Sequence, residues 1–266
     1  MVTAGPLILR LPPPPPPPGQ NVLLEERKLL NTHGRIKLVC SSVVVGSVVA
    51  PSSQINGSSL LLTDGAEYVD VVMGAHNIRQ NEESQVTVRS DTLMTHEDYN
   101  SFSLHNDIGL IQLPSPIIFN DNIRSVALAS LDPGVGTTVT LTGWGKSDQA
   151  LGITDVLRQV DAPIMSNDEC AETYTYVIYP GTICISAEGG KGVCSGDSGG
   201  PMNWNGVTAG VTSLVASAGC ESGLPHGFTS ESGLPHGFTS ESGLPHGFTR
   251  VTYFLDWIQA NSGITP

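Results

Sequence analysis

From Glu67 onward the chain is cut into short apolar runs separated by Gly, Asn, Asp and Pro. Tyr68 to Met73, Gln85 to Val88, Ile108 to Leu113, Thr137 to Leu141, Asp155 to Ala162, Thr182 to Ile185 and Val207 to Val215 are all short and rich in β-branched residues. Runs of this kind, bounded by turn residues, predict the strands of barrels. Helical spacing shows at the C-terminus alone. There Val251, Phe254, Leu255 and Ile258 fall on one face, with Trp257 beside the stripe, and predict a closing helix.

The start of the chain breaks this pattern. Pro12 to Pro18 is an unbroken run of seven prolines. Such a run forms a stiff polyproline II rod and joins neither a sheet nor a helical core. Residues 1–35 are therefore expected to be a disordered, Pro-rich head. Arg35 and Lys37 then precede Leu38 to Ala50, which is rich in Val and Ser. That stretch is too short to span a bilayer as a helix. It has either the flank, core and small-residue end of a signal sequence, placed late, or the pattern of a pair of short strands. Residues 36–62 are accordingly a signal-like or replacement segment, and 63–266 the folded domain. Within the latter, residues 221–250 read ESGLPHGFTS, ESGLPHGFTS, ESGLPHGFTR. A ten-residue period is too short for a solenoid, so one copy is expected to belong to the fold.

Composition narrows the class. In 266 residues, 39% are hydrophobic and 14% charged, with 30 Gly and 19 Pro, which suits a loop-rich globular protein. The formal net charge of −13 argues against nucleic acid or anionic membranes as partners, because both repel it. Of the five cysteines, Cys40 stands apart, while Cys170, Cys184, Cys194 and Cys220 crowd the C-terminal half. No pair shows metal-ligand spacing, so disulfides in an oxidising compartment are expected, and no metal. Asn56-Gly57-Ser58 is a glycosylation sequon, consistent with secretion.

The chemistry centres on Gly196-Asp197-Ser198-Gly199-Gly200-Pro201. Attack on an amide needs an exposed hydroxyl and N–H donors aimed at the developing oxyanion. Glycines allow the sharp turn that brings those donors close. Ser198 is the candidate nucleophile, and the N–H groups of Gly196 and Ser198 the candidate oxyanion hole.

That hexapeptide resembles the signature of the chymotrypsin/trypsin-like serine proteases, and the run Gly219-Cys220-Glu221-Ser222-Gly223 looks most like their arthropod brachyurin and chymotrypsin members. His105-Asn106-Asp107-Ile108-Gly109-Leu110 resembles the family's aspartate motif, and Thr142-Gly143-Trp144-Gly145 its interdomain Gly-Trp-Gly. The resemblance implies an all-β fold of two antiparallel six-stranded β-barrels with a C-terminal helix, the first barrel incomplete here. It implies a secreted endopeptidase with Asp107 as triad carboxylate, disulfides Cys170–Cys184 and Cys194–Cys220, and Cys40 left free. It implies protein or peptide substrates, protease inhibitors as further partners, a monomer, and no cofactor. The specificity pocket falls on Gly192 at the floor, the strand Ser213-Leu214-Val215 at the edge, and His246 or His226 on the wall. An uncharged floor implies cleavage after apolar or aromatic side chains.

Two family features are missing. The Thr-Ala-Ala-His-Cys segment should precede Thr63, but Leu60-Leu61-Leu62 runs straight into it. None of His33, His76, His96, His105, His226, His236 or His246 lies in a matching motif. The Ile-Val-Gly-Gly activation site is also absent, which leaves Asp197 with no evident partner. Three functions therefore stand open: an endopeptidase whose sequence has lost a segment, a non-catalytic homologue that binds proteins or peptides, and an interaction module built on the polyproline head.

Overall fold

The structure, a computed structural model, describes residues 68–100, 102–146, 153–194, 196–213 and 245–266 with their side chains. Residues 22–25, 28–31, 35–40, 42–45, 47–50 and Leu214 are described as strand backbone. The polyproline run, the sequon, residues 215–244, and with them Val215, Cys220, His226 and His236, lie outside the described residues, as does His33.

The first strands are β1 (Val22–Glu25), β2 (Lys28–Asn31), β3 (Arg35–Cys40), β4 (Ser42–Val45) and β5 (Ser47–Ala50). Then come β6 (Tyr68–Met73), β7 (Val86–Ser90), β8 (Thr92–Thr95), β9 (Gly109–Gln112) and β10 (Ala127–Leu128). The C-terminal half holds β11 (Thr138–Gly143), β12 (Arg158–Met165), helix α1 (Asn167–Tyr174), β13 (Thr182–Ile185), β14 (Pro201–Trp204), β15 (Val207–Leu214) and β16 (His246–Arg250). A 3-10 turn, Val251–Phe254, leads into helix α2 (Leu255–Ser262).

Six of these strands close on themselves. The order β15-β14-β11-β12-β13-β16 is completed by pairing of β16 with β15, and every pairing is antiparallel. Alternation explains the closure. On β11 Val139, Leu141 and Gly143 point inward while the residues between them are less buried. Val139, Leu141, Ala162, Ile164, Ile183, Met202 and Phe248 form one core, with Phe248 fully buried. The β14–β15 hairpin turns on Asn205-Gly206, whose φ of 49° and 80° fit a type I′ turn. The strand β16 comes from the third copy of the repeat, the one continuous with Val251.

The N-terminal half forms three smaller sheets among the described residues: β1-β4, β2-β3-β6-β7 and β5-β9-β8. Its β3 runs parallel to β6, with Arg35 opposite Tyr68. A parallel pair is not part of the antiparallel barrel that the sequence leads one to expect. Leu38 to Ala50 is strand here, and β5 pairs with β9.

The C-terminal helix ties the halves together. Val251, Phe254 and Ile258 pack with Ile108 and Leu110 of the N-terminal half and Val211 of β15. Helical structure is not confined to the C-terminus, as periodicity suggested. Helix α1 starts from a capping box in which Ser166 Oγ accepts from the Glu169 N–H and the Glu169 carboxylate accepts from the Ser166 N–H. Hydrogen bonding to Ser166 holds the Glu169 carboxyl below its ordinary pKa.

Candidate active site

The loop carrying Ser198 is held by its own backbone. Asp197 N–H donates to the Cys194 carbonyl at 2.7 Å, and Gly200 N–H to the Asp197 carbonyl at 2.8 Å. Gly196 and Gly199 adopt φ of 97° and 83°, left-handed values that a side chain would make costly. Gly199 N–H donates to the Thr212 carbonyl at 2.9 Å, while Thr212 N–H and Oγ1 donate to the Gly200 carbonyl. The loop is thus stitched to β15. Ser198 is 8% exposed, and its Oγ is buried with no hydrogen-bond partner.

Asp107 reaches the same strand. It lies fully buried just before β9, and its Oδ2 accepts from Ser213 Oγ at 2.7 Å. Its carbonyl accepts from Thr249 Oγ1 on β16 at 2.7 Å. Consecutive residues of β15, Thr212 and Ser213, therefore hold the serine loop and the aspartate. The sequence placed Ser213 on the edge of the pocket and missed this second task. A polar residue at a buried strand position was the available signal, since such groups require a partner.

Asp197 does have partners, contrary to the expectation from sequence. Its Oδ1 accepts from Gly145 N–H at 3.2 Å and its Oδ2 from Cys194 N–H at 2.9 Å. Backbone donors satisfy the carboxylate and fasten the Gly-Trp-Gly loop to the serine loop. Beside it opens a cleft of about 240 Å³, bordered by Gly145, Lys146, Gly192 and Asp197. Trp144 is buried, and its Nε1 donates to the His76 carbonyl at 2.9 Å.

At the pocket position, Gly192 has φ of 158°, and a Cβ built there would lie 2.4 Å from His246 Nε2. No larger residue fits without displacing the imidazole. His246 is 1% exposed, its Nδ1 has no hydrogen-bond partner, and burial pulls its pKa down to about 4. Gly192 and His246 are thus brought together. Val215 lies outside the described residues.

The other described histidines are engaged elsewhere. His96 stacks on Trp257 at 5.1 Å and meets Phe254 edge-on. His105 stacks on Tyr179 at 4.1 Å, with Nε2 3.1 Å from the Tyr176 carbonyl. His76 is exposed, and its N–H donates to Glu82. Cys170 and Cys184 form a disulfide. Cys194 is disulfide-bonded as well, with its partner outside the described residues.

Comparison with known proteins agrees with this geometry. The Trypsin family model matches residues 57–258. Brachyurin of Leptuca pugilator is 51% identical over 222 residues, covering 83% of this chain and 88% of that protein. Chymotrypsin of Phaedon cochleariae is 35% identical over 202 residues, covering 74% and 65%. A solved structure of HL collagenase at 1.7 Å resolution superposes with a TM-score of 0.66 at 26% identity, covering 93% of this chain and 94% of that one.

Proposed function

The chain belongs to the trypsin family of serine proteases, and we propose from that premise a secreted endopeptidase lineage cleaving after apolar or aromatic residues, with this chain retaining the site but not turnover. The observation that carries the reading is Ser198, held in a glycine-rich loop with its Oγ buried and unpartnered. The nucleophile is positioned, and none of the described histidines bonds to it. Asp107, with Ser213 on its Oδ2, is the carboxylate that would orient such an imidazole. The N–H groups of Gly196 and Ser198 would receive the oxyanion. Gly192 leaves the pocket without a fixed charge for Lys or Arg. The Cys170–Cys184 bridge supports an oxidising, extracellular setting.

A serine hydroxyl is not ionised near neutral pH. It needs a base during attack, and the same group must then protonate the leaving amine. In subtilisin, an unrelated fold with the same triad, loss of the histidine lowers kcat by about 2 × 10⁶. The test uses the unaltered chain beside a variant with Thr-Ala-Ala-His-Cys inserted after Leu62. The unaltered chain should react slowly with a fluorophosphonate and leave peptides intact, and the insertion should raise hydrolysis by at least about 10⁴. Rapid labelling of Ser198 in the unaltered chain, with hydrolysis abolished by Ser198→Ala, would show another group acting as base. Peptide binding without hydrolysis in both proteins would favour the second reading, a non-catalytic homologue that uses the retained pocket.

A further inference from the structure

The turn that delivers Asp107 is strained, and it is held from outside its own half. Leu104 and Asn106 have φ of 55° and 57°, left-handed values that a leucine above all avoids. The Ile108 N–H donates to the Asn106 carbonyl at 2.9 Å, which folds the backbone tightly around Asp107. Residues in such conformations persist where their surroundings over-determine them, and they gather at functional sites.

Tyr179 supplies much of that surrounding. Its phenolic oxygen accepts the Asn106 N–H at 2.8 Å, one residue before Asp107. Its ring stacks on His105 at 4.1 Å, two residues before Asp107. Tyr179 is in turn anchored through its carbonyl, which accepts from Asn167 Nδ2 at 3.2 Å and from the Thr182 N–H at 2.9 Å. The Cys170–Cys184 bridge closes the segment that carries it. Leu104, Tyr179, Ser213 and Thr249 border one cavity of about 10 Å³, so little room is left for the turn to shift.

We propose that Tyr179 is a positioning residue for Asp107: it fixes the turn from which the carboxylate is aimed, while Ser213 and Thr249 hold the aspartate itself. The inference rests on the protease-site reading above and adds to that site a residue outside its motifs. Burial is the main cause that pushes the Tyr179 phenol up to about 12, and the charge of Asp107 adds to it. The hydroxyl is therefore neutral beside the carboxylate near pH 7. A phenylalanine at this position would keep the stack on His105, yet leave the Asn106 N–H without its acceptor, which backbone groups in folded proteins rarely tolerate. The hydroxyl and the ring can thus be tested apart.

The experiment compares the unaltered chain with Tyr179→Phe. In the unaltered chain the Asn106 amide should be protected from hydrogen exchange. In Tyr179→Phe it should exchange roughly fivefold faster, the worth of one neutral hydrogen bond. The amides of β12 and β13 should be unchanged. The ¹³C signal of the Asp107 carboxyl should move as well, which loss of packing at a surface loop would not cause. In a second pair of proteins, both carrying Thr-Ala-Ala-His-Cys after Leu62, Tyr179→Phe should lower kcat by about tenfold or more and leave KM unchanged. Rapid exchange of Asn106 in the unaltered chain overturns the proposal without any variant. An Asp107 signal that stays in place in Tyr179→Phe, or a kcat equal to that of its parent, overturns it and leaves the protease reading standing. If the inserted parent hydrolyses no peptide, the protease reading falls, and the Asn106 and Asp107 signals of the first pair still decide whether Tyr179 holds that carboxylate.

Discussion

In the closed barrel each strand has an antiparallel neighbour on both sides. In the N-terminal half β7 pairs with β6, β8 with β9, and β1 with β4, and each of these sheets ends in an edge among the described residues. The two halves are built from similar strands, yet among the described residues only the C-terminal one closes. Closure satisfies the last row of backbone donors and acceptors, and open edges must be managed in other ways. On β7, Arg89 does this in part. It lies over the Tyr68 ring at 3.8 Å and makes a bidentate pair with Asp70 on β6. The candidate site hangs mainly on the closed half. Ser198, Ser213, Gly192 and His246 belong to it, and Asp107 is the contribution of the other half, held by two hydroxyls from β15 and β16.

The sharpest way to break this contrast is to open the barrel from inside. Phe248 is fully buried on β16, and Gly210 of β15 lies so close that a Cβ there would sit 3.1 Å from Phe248 Cβ. With neighbours packed this tightly, the site cannot collapse to fill a hole. Phe248→Ala should cost about 3–5 kcal/mol in denaturant unfolding. Hydrogen exchange should show the amides of β13 and β16 losing protection, with those of β7 little changed. Equal loss in β7 would mean that the two halves unfold as one unit and that closure does not set them apart.

Acid offers a second probe, aimed at the closed half through one residue. The folded pKa of His246 is about 4 against an ordinary 6.5, and burial alone is the cause. Between those values the unfolded chain takes up a proton that the folded chain refuses. Stability from this group is therefore complete above pH 6.5 and is lost as pH falls toward 4. The loss should be on the order of 3 kcal/mol, with the carboxylates adding their own terms. Comparing the pH dependence of unfolding in the parent and in His246→Phe isolates it. The variant should show the shallower decline over that window, and parallel curves would show that the imidazole is solvated after all.

Strands of both halves were legible. Tyr68–Met73 and Thr182–Ile185 match observed strands residue for residue, and Val207 to Val215 differs from β15 by its last residue. β-branched residues with alternating burial give that signal directly. Strand β14 was missed because Pro201 opens it and Trp204 closes it, which masks alternation over four residues. Asn205-Gly206 was the clue, since that pair marks a two-residue hairpin. Strand β16 was hidden by the repeat: three identical Leu-Pro-His-Gly-Phe copies cannot say which one pairs, and only continuity with Val251 decides it. Of the candidate site, Ser198 and Asp107 were proposed from local motifs, and Gly192 and His246, with His226 as the alternative, from the family resemblance. The bonds from Ser213 to Asp107 and from Gly145 to Asp197 span 106 and 52 residues, and no local pattern encodes them.

The smallest effect should come from α1, the helix that the periodicity reading passed over. Its sequence, Ser166-Asn167-Asp168-Glu169, carries a helix-start signal independent of any apolar stripe. The stripe itself is short: only Cys170 and Tyr174 are buried, and Cys170 is bonded to Cys184 on β13. Two devices thus fix this helix to the closed barrel. The disulfide constrains the unfolded chain, at roughly 3 kcal/mol for a loop of this size. The cap satisfies N–H groups that an eight-residue helix otherwise leaves open. Ser166→Ala removes the Glu169 N–H acceptor and also one partner of the Glu169 carboxylate, so it should cost about 1 kcal/mol. Ser166→Asp should cost less, because a carboxylate also caps and complements the helix dipole. With the bridge intact the helix stays docked, so far-ultraviolet circular dichroism should be unchanged while the unfolding midpoint moves. A loss for Ser166→Ala as large as that for Phe248→Ala would mean that the rigidity of this half resides in its capped helix and not in the closure of its strands.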